Sequence, residues 1–173
     1  MKPTLPVQLN FLQKAKTGLE IQGKMPLKHL KRLSEALLTD EGELDAELKF
    51  SKAGPIPYIQ GHVTAELELK CQRCMQPMHY TVDSHFKLGL VLNDEHIEKL
   101  PDEYEPYQVE EDENSRLADM LEDELLLALP LVAKHDFECS EFVQPTDSEQ
   151  HRKSEVEPSE NKESPFASLK DLL

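Results

Sequence analysis

Cys71-Gln72-Arg73-Cys74 is the stretch of the chain best suited to chemistry. Two thiolates at this spacing, on the tip of a hairpin, can take half of a tetrahedral zinc shell. A closed shell needs two more ligands. Cys139, His135, His79 and His85 are the free candidates, and there is no second Cys-x-x-Cys. A redox pair has the same spacing, but that motif belongs at a helix start after a strand, and this one lies between two strand-like runs. The third reading is a tight turn whose small thiols pack inward. Because the second ligand pair is missing, the metal-free turn is preferred. No cofactor is expected, and Cys71 and Cys74 stand only as an incomplete zinc pair.

Other catalytic patterns are weak. His29, His62, His79, His85, His96, His135 and His151 are scattered, with no i,i+4 metal pairing. His135-Asp136 could form an oriented base, but no nucleophile accompanies it. The acids at 110–113 and 122–124 resemble neither paired catalytic carboxylates nor a calcium loop with its central glycine. Six glycines form no phosphate-cradling loop. The chain does not read as an enzyme. Lys24, Lys28, Lys31, Arg32 and Arg73 are the candidate phosphate contacts, since basic side chains along one helix face can position a nucleic-acid backbone. Each of them also reads as an ordinary solubilising residue.

Charge is unevenly distributed. The formal net charge is −15 over 173 residues, yet residues 1–34 hold seven basic side chains against Glu20 alone. Residues 94–124 hold 14 acids against Lys99 and Arg116. Such blocks suggest two electrostatic faces, a basic one for phosphate and an acidic one for a basic partner. The overall excess of acid argues against a nonspecific nucleic-acid coat, which needs surplus cations. No apolar run of about 18 residues suggests a membrane span, and the N-terminus lacks the apolar stretch of a signal peptide. Three cysteines cannot form a disulfide framework. The odd count fits reduced thiols and a cytoplasmic protein.

The elements that must position these residues follow from periodicity. Asn10 caps a short helical turn through Lys16, ended by Gly18, and Leu19 and Ile21 alternate as a short strand. Leu27, Leu30, Leu33 and Leu37 make one apolar stripe, which predicts a helix over 26–38 with Pro26 at its first position. Three runs of period two follow: 44–50, 59–71 and 78–92. They predict an antiparallel sheet of three or more strands with one exposed face. Residues 93–114 read as an extended acidic linker. A second helix over 115–129, capped near Asn114 or Ser115, carries Glu122, Asp123 and Glu124 as candidate partner contacts, and Pro130 stops it. The hydrophobic fraction, 38 %, is low enough that part of the chain should lie outside a core. Residues 140–163 are expected to be disordered for want of apolar side chains, while 164–173 turn apolar again, as a short docking helix or a frayed end. The fold class is thus α+β, an antiparallel sheet flanked by two helices, with a single domain over 1–139 and an acidic tail over 140–173.

Taken together, these residues resemble a known family. Leu69-Lys70-Cys71-Gln72-Arg73-Cys74 with Pro77, Leu100-Pro101-Asp102-Glu103-Tyr104-Glu105-Pro106, Glu122-Asp123-Glu124-Leu125-Leu126-Leu127-Ala128-Leu129-Pro130-Leu131-Val132 and His135-Asp136 are similar to the YceD family of large ribosomal RNA subunit accumulation proteins. Pro165-Phe166-Ala167 with Leu169 resembles its proteobacterial branch. The resemblance implies a bacterial, non-enzymatic factor in the synthesis, processing or stability of large-subunit ribosomal RNA. Its partners would be that RNA or a precursor particle, and a basic ribosomal protein or assembly factor. In many members a second cysteine cluster after the acidic helix would complete a zinc site. This chain offers only Cys139 there, so the hairpin tip is expected to hold its shape without metal. The alternative function is an acidic module that chaperones a basic ribosomal protein without touching RNA.

Overall fold

The computed structural model describes residues 2–111 and 113–139; the expectations for residues 140–173 lie outside them. The chain enters through a two-residue strand, β1 (Gln8–Leu9), and turns into α1 (Phe11–Thr17). Asn10 caps this helix, its side-chain oxygen accepting from the Gln13 N–H at 2.8 Å. Gly18, at φ 72°, closes it in the left-handed region where glycine carries no Cβ penalty. Phe11, Leu12 and Ala15 face inward.

β2 (Glu20–Pro26) extends beyond the Leu19–Ile21 alternation, and Pro26 ends the strand as the cap residue of the turn that follows, not as the first helical position expected of it. The helix expected over 26–38 is broken in two. A 3-10 turn spans Leu27–His29, Leu30 sits at φ −103° and ψ 82°, and α2 covers only Lys31–Ala36. The core accounts for the break: it receives Leu27, Leu30 and Leu33, one before it, one at it and one after it, all at most 1 % exposed.

Three long strands follow as expected: β3 (Glu43–Ala53), β4 (Ile56–Lys70) and β5 (Pro77–Val91). Gly54 at φ 60° makes the tight turn between the first two. The acidic stretch after β5 is more structured than a linker. It holds a helical turn, α3 (Asp94–Ile97), and a strand, β6 (Glu105–Gln108). β6 lies parallel to β5, which makes the sheet mixed where a purely antiparallel one was expected. Tyr104 and Val109 are buried at its ends and fix it to the sheet.

β7 (Ser115–Arg116) then pairs antiparallel with β1 and leads into α4 (Leu117–Ala128). Neither Asn114 nor Ser115 caps α4. Arg116 is the cap residue and makes no side-chain cap bond; instead the Leu117 N–H donates to the Val7 carbonyl at 3.1 Å. Strand pairing therefore replaces the side-chain cap.

The five-stranded sheet has the order β2-β3-β4-β5-β6. One face is polar and solvated. The other buries Leu44, Phe50, Ile59 and Leu67 against Phe11, Leu33, Leu117, Met120, Leu121 and Leu125 of the helices. The class is α+β, with a mostly antiparallel sheet and four short helices, not two, among the described residues. None of these helices is long and apolar enough to cross a membrane.

Gly61 is opposite Phe86 in the β4–β5 ladder, and a Cβ added there would lie 2.0 Å from the Phe86 ring. The ring is 6 % exposed and has little room to retreat. Gly61→Ala should therefore destabilise the fold by about 1–3 kcal/mol, the usual cost of overpacking. Urea unfolding measures this directly, and an unchanged midpoint would contradict the packing described.

Candidate functional site

The β4–β5 connection, residues 71–76, places the cysteine pair at the hairpin tip. The Met75 N–H donates to the Cys71 carbonyl and the Cys71 N–H to the Gln76 carbonyl, both at 2.9 Å. Met75 takes φ 63°, a left-handed conformation that costs a non-glycine residue on the order of 1 kcal/mol. After α4, Pro130 turns the chain back across this tip, and the Gln72 N–H donates to the Ala133 carbonyl at 2.7 Å. His135 and Cys139 thereby arrive beside Cys71 and Cys74. One donor atom from each of the four residues lies within 4.8 Å of the others.

The spacing suits a specific ion. Cys71 Sγ and Cys139 Sγ are 3.7 Å apart, and Cys74 Sγ and His135 Nδ1 are 3.5 Å apart. A tetrahedral zinc ion with the usual bond lengths puts sulfurs about 3.8 Å from each other and about 3.6 Å from a ring nitrogen. His135 Nε2 lies 3.1 Å from the Pro77 carbonyl. Donating its N–H there leaves Nδ1 free to ligate, the outer-shell arrangement of metal-bound histidines. Arg73 closes the site from outside. Its Nε donates to Cys139 Sγ at 3.2 Å and its Nη2 to the carbonyls of His135 (3.0 Å) and Phe137. Burial opposes ionisation of Cys71, but the backbone N–H groups of Cys74, His135 and Arg73 outweigh it and hold the thiol down at about 5. Burial likewise opposes ionisation of Cys139, and Arg73 and His135 outweigh it. Cys74 is shifted upward, with Gln76 opposing the combined effect of burial and the neighbouring thiols. The residues therefore fit a Cys3His zinc centre. The sequence named all four donors; what it could not show was which of Cys139, His135, His79 and His85 would reach the tip.

The charged candidates separate into engaged and exposed groups. Lys24 pairs with Glu43 at 3.2 Å and Asp45 at 3.9 Å. Arg73 is tied to the cysteine cluster. Arg32 reaches α4, its Nε 2.8 Å from Glu122 and its Nη2 2.7 Å from Asp123. Lys28 and Lys31 are exposed and make no ion pair among the described residues. Together with Arg116, which sequence reasoning passed over, they line one depression of about 280 Å³.

The acidic helix does not present all three of its candidate residues. Glu122 is 4 % exposed and Glu124 7 %. Besides pairing with Arg32, Glu122 accepts the Leu33 N–H at 3.0 Å. Leu30 provides no side-chain cap for α2, so a carboxylate from another helix satisfies a first-turn donor in its place. Only Asp123 is half-exposed, and it faces Arg32. The basic and acidic blocks therefore meet inside the molecule at this point.

Two outcomes follow. Glu122→Ala strands a buried N–H and an arginine, and should cost about 2–3 kcal/mol; Glu122→Gln keeps the acceptor for Leu33 and should cost less. Equal losses in chemical denaturation would rule out the capping role. Glu124 is pushed up to about 7 from its ordinary 4.5 by burial, then by Glu105 and Asp123. Between those two values the folded state holds a proton that the unfolded state has released, so stability contributed by the neutral acid falls as pH rises from about 4.5 to about 7. Glu124→Gln should flatten this part of the stability–pH profile and raise stability above it.

Comparison with known proteins places the molecule. The family described as "Large ribosomal RNA subunit accumulation protein YceD" matches residues 59–173, a span that includes most of the long hairpin, the cysteine–histidine cluster and α4. A curated relative from Haemophilus influenzae bearing that same name is 32 % identical over 174 residues, covering 99 % of this chain and 97 % of its own length. No solved structure matches. Similarity of this extent, end to end, means that the chain belongs to the YceD family.

Proposed function

We propose that this protein promotes accumulation of large-subunit ribosomal RNA as a non-enzymatic assembly factor acting in the cytoplasm. The observation that carries the reading is the near full-length similarity to a relative of that name. Lys28, Lys31 and Arg116 are the RNA contacts in this reading. Two of them are free of ion pairs among the described residues, and all three line one depression. Lys24, Arg32 and Arg73 contribute less, because their cationic groups are held by neighbours of the same chain.

A second reading is supported by the exposed acids between residues 94 and 113, among them Glu95, Glu98 and Asp102. This stretch would receive a basic ribosomal protein, with no RNA contact. Glu122 and Glu124 are poorly suited to that docking, since their side chains are buried.

The cofactor in this proposal is one zinc ion held by Cys71, Cys74, His135 and Cys139. It would cross-link the hairpin tip to the segment after α4. A zinc ion closed by four protein ligands contributes folding energy and offers no open position for catalysis.

Salt-dependent binding of the isolated full chain to large-subunit RNA fragments separates the two readings. RNA contact predicts binding that weakens with salt and a shallower salt slope in Lys28→Glu/Lys31→Glu, by about one unit for each lost phosphate contact. No binding at low salt, with comigration on precursor particles retained, would favour the protein-chaperone reading. Metal analysis should find zinc on the chain, with one equivalent lost in Cys74→Ser, and chelator should lower the melting temperature. Metal-free protein whose melting is indifferent to added zinc would overturn the cofactor proposal.

A further inference from the structure

The solvated face of the sheet holds a second cluster of donors, remote in role from the cysteine centre. His62 of β4 and His85 of β5 are direct cross-strand partners, and their rings stack at 3.9 Å between centroids with planes 13° apart. Asp83 shares this face, two residues before His85. Its Oδ1 is 2.8 Å from His62 Nε2 and 3.8 Å from His85 Nδ1. One donor atom from each of the three lies within 4.8 Å of the other two.

These distances are close to those of a coordination sphere. With metal–nitrogen and metal–oxygen bonds of roughly 2.0–2.2 Å, adjacent donors sit about 3.0 Å apart in an octahedral sphere and about 3.4 Å apart in a tetrahedral one. Asp83 and His62, hydrogen-bonded at 2.8 Å, need to part by only a few tenths of an ångström to admit an ion. The His85 side chain is 73 % exposed and can turn to complete the set. Glu47 is the cross-strand partner of His62 on its other side, and Glu66 lies on the same face of β4. Of the nearby cations, Lys49 is paired with Glu20 at 2.6 Å and Lys87, two residues after His85 on the same face, is paired with Glu103. The local field therefore favours a dication.

We propose that His62, Asp83 and His85 bind a divalent first-row transition ion of the zinc and nickel type. Two imidazoles and one carboxylate supply three positions, and the others stay open to water or an oxygen ligand, as in two-histidine, one-carboxylate sites. The site faces a shallow depression bounded by Gln22, Glu47, Lys49 and Gln60, so those positions are accessible. It shares no residue with the cysteine centre and does not depend on the functional reading above.

The test is equilibrium dialysis of the full chain against nickel chloride. Wild type should bind one equivalent more than His62→Asn/His85→Asn, whose substitutions fall on the solvated face of the sheet. Asp83→Asn keeps both imidazoles and should weaken that equivalent at least tenfold. Equal nickel stoichiometry in wild type and the double variant would overturn the proposal and leave the cluster as an ion pair only. Unchanged affinity in Asp83→Asn would remove the carboxylate from the site. Cobalt loading reads the cysteine centre separately, through thiolate charge-transfer absorption that an imidazole–carboxylate site lacks. Those bands should be the same in wild type and the double variant, so failure at one centre is not confused with failure at the other.

Discussion

Thirteen residue pairs join β4 to β5, from Tyr58↔Gly89 to Lys70↔Pro77, and a slip of one residue would turn every side chain of one strand to the wrong face. Much of the molecule depends on that register. It puts Ile59, Val63, Leu67 and Phe86 on the core side and sets Gly61 under the Phe86 ring. It presents Cys71 and Cys74 at the tip and stacks His62 on His85 at the far side of the sheet. It also offers β5 an open edge onto which the acidic segment folds back as β6.

The charge blocks illustrate how far a linear reading reaches. Segregation of seven basic residues into 1–34 and 14 acids into 94–124 is plain in the sequence, and two separate faces are the natural inference. Folding partly annuls it. α2 packs on α4, so Arg32 is neutralised by Glu122 and Asp123. A half-exposed arginine beside a buried carboxylate that also accepts a backbone N–H is a structural tie. Of the basic block, Lys14, Lys16, Lys28 and Lys31 stay at least partly exposed and without an ion pair among the described residues, and the acids before α4 stay largely exposed.

Legibility follows the range of the interaction. Asn10 and Gly18 act within one helical turn, and the caps of α1 could be read directly. The three long strands announce themselves by alternation. The broken helix at Leu30 could not be read, because spacings of three and four suit an α-helix and a 3-10 turn alike, and the choice is made by the core that receives Leu27, Leu30 and Leu33. β6 was hidden because Glu105-Pro106-Tyr107-Gln108 is mostly exposed, lies in an acidic stretch and shows no apolar alternation; only Tyr104, Tyr107 and Val109 hint that the stretch is anchored. The His62–His85 pair was missed for a different reason. Each histidine is ordinary in its own strand, and only the register brings them together.

The segment after α4 shows why the cysteine–histidine cluster matters to the fold as well as to any ion. Between Leu131 and Cys139 only Ala133 is buried; Leu131 is fully exposed, and Val132 and Phe137 are more than half so. Apolar burial of one alanine cannot offset the ordering of nine residues, each costing on the order of 1–2 kcal/mol. The segment is instead held by polar ties: Gln72 to Ala133, Arg73 to His135 and Phe137, and His135 to Pro77. Each such bond contributes only about 1 kcal/mol net. A four-ligand ion at the point where these ties converge would supply the missing energy in one interaction. It would also account for three thiols and an imidazole, drawn from two stretches more than 60 residues apart, being brought to tetrahedral spacing.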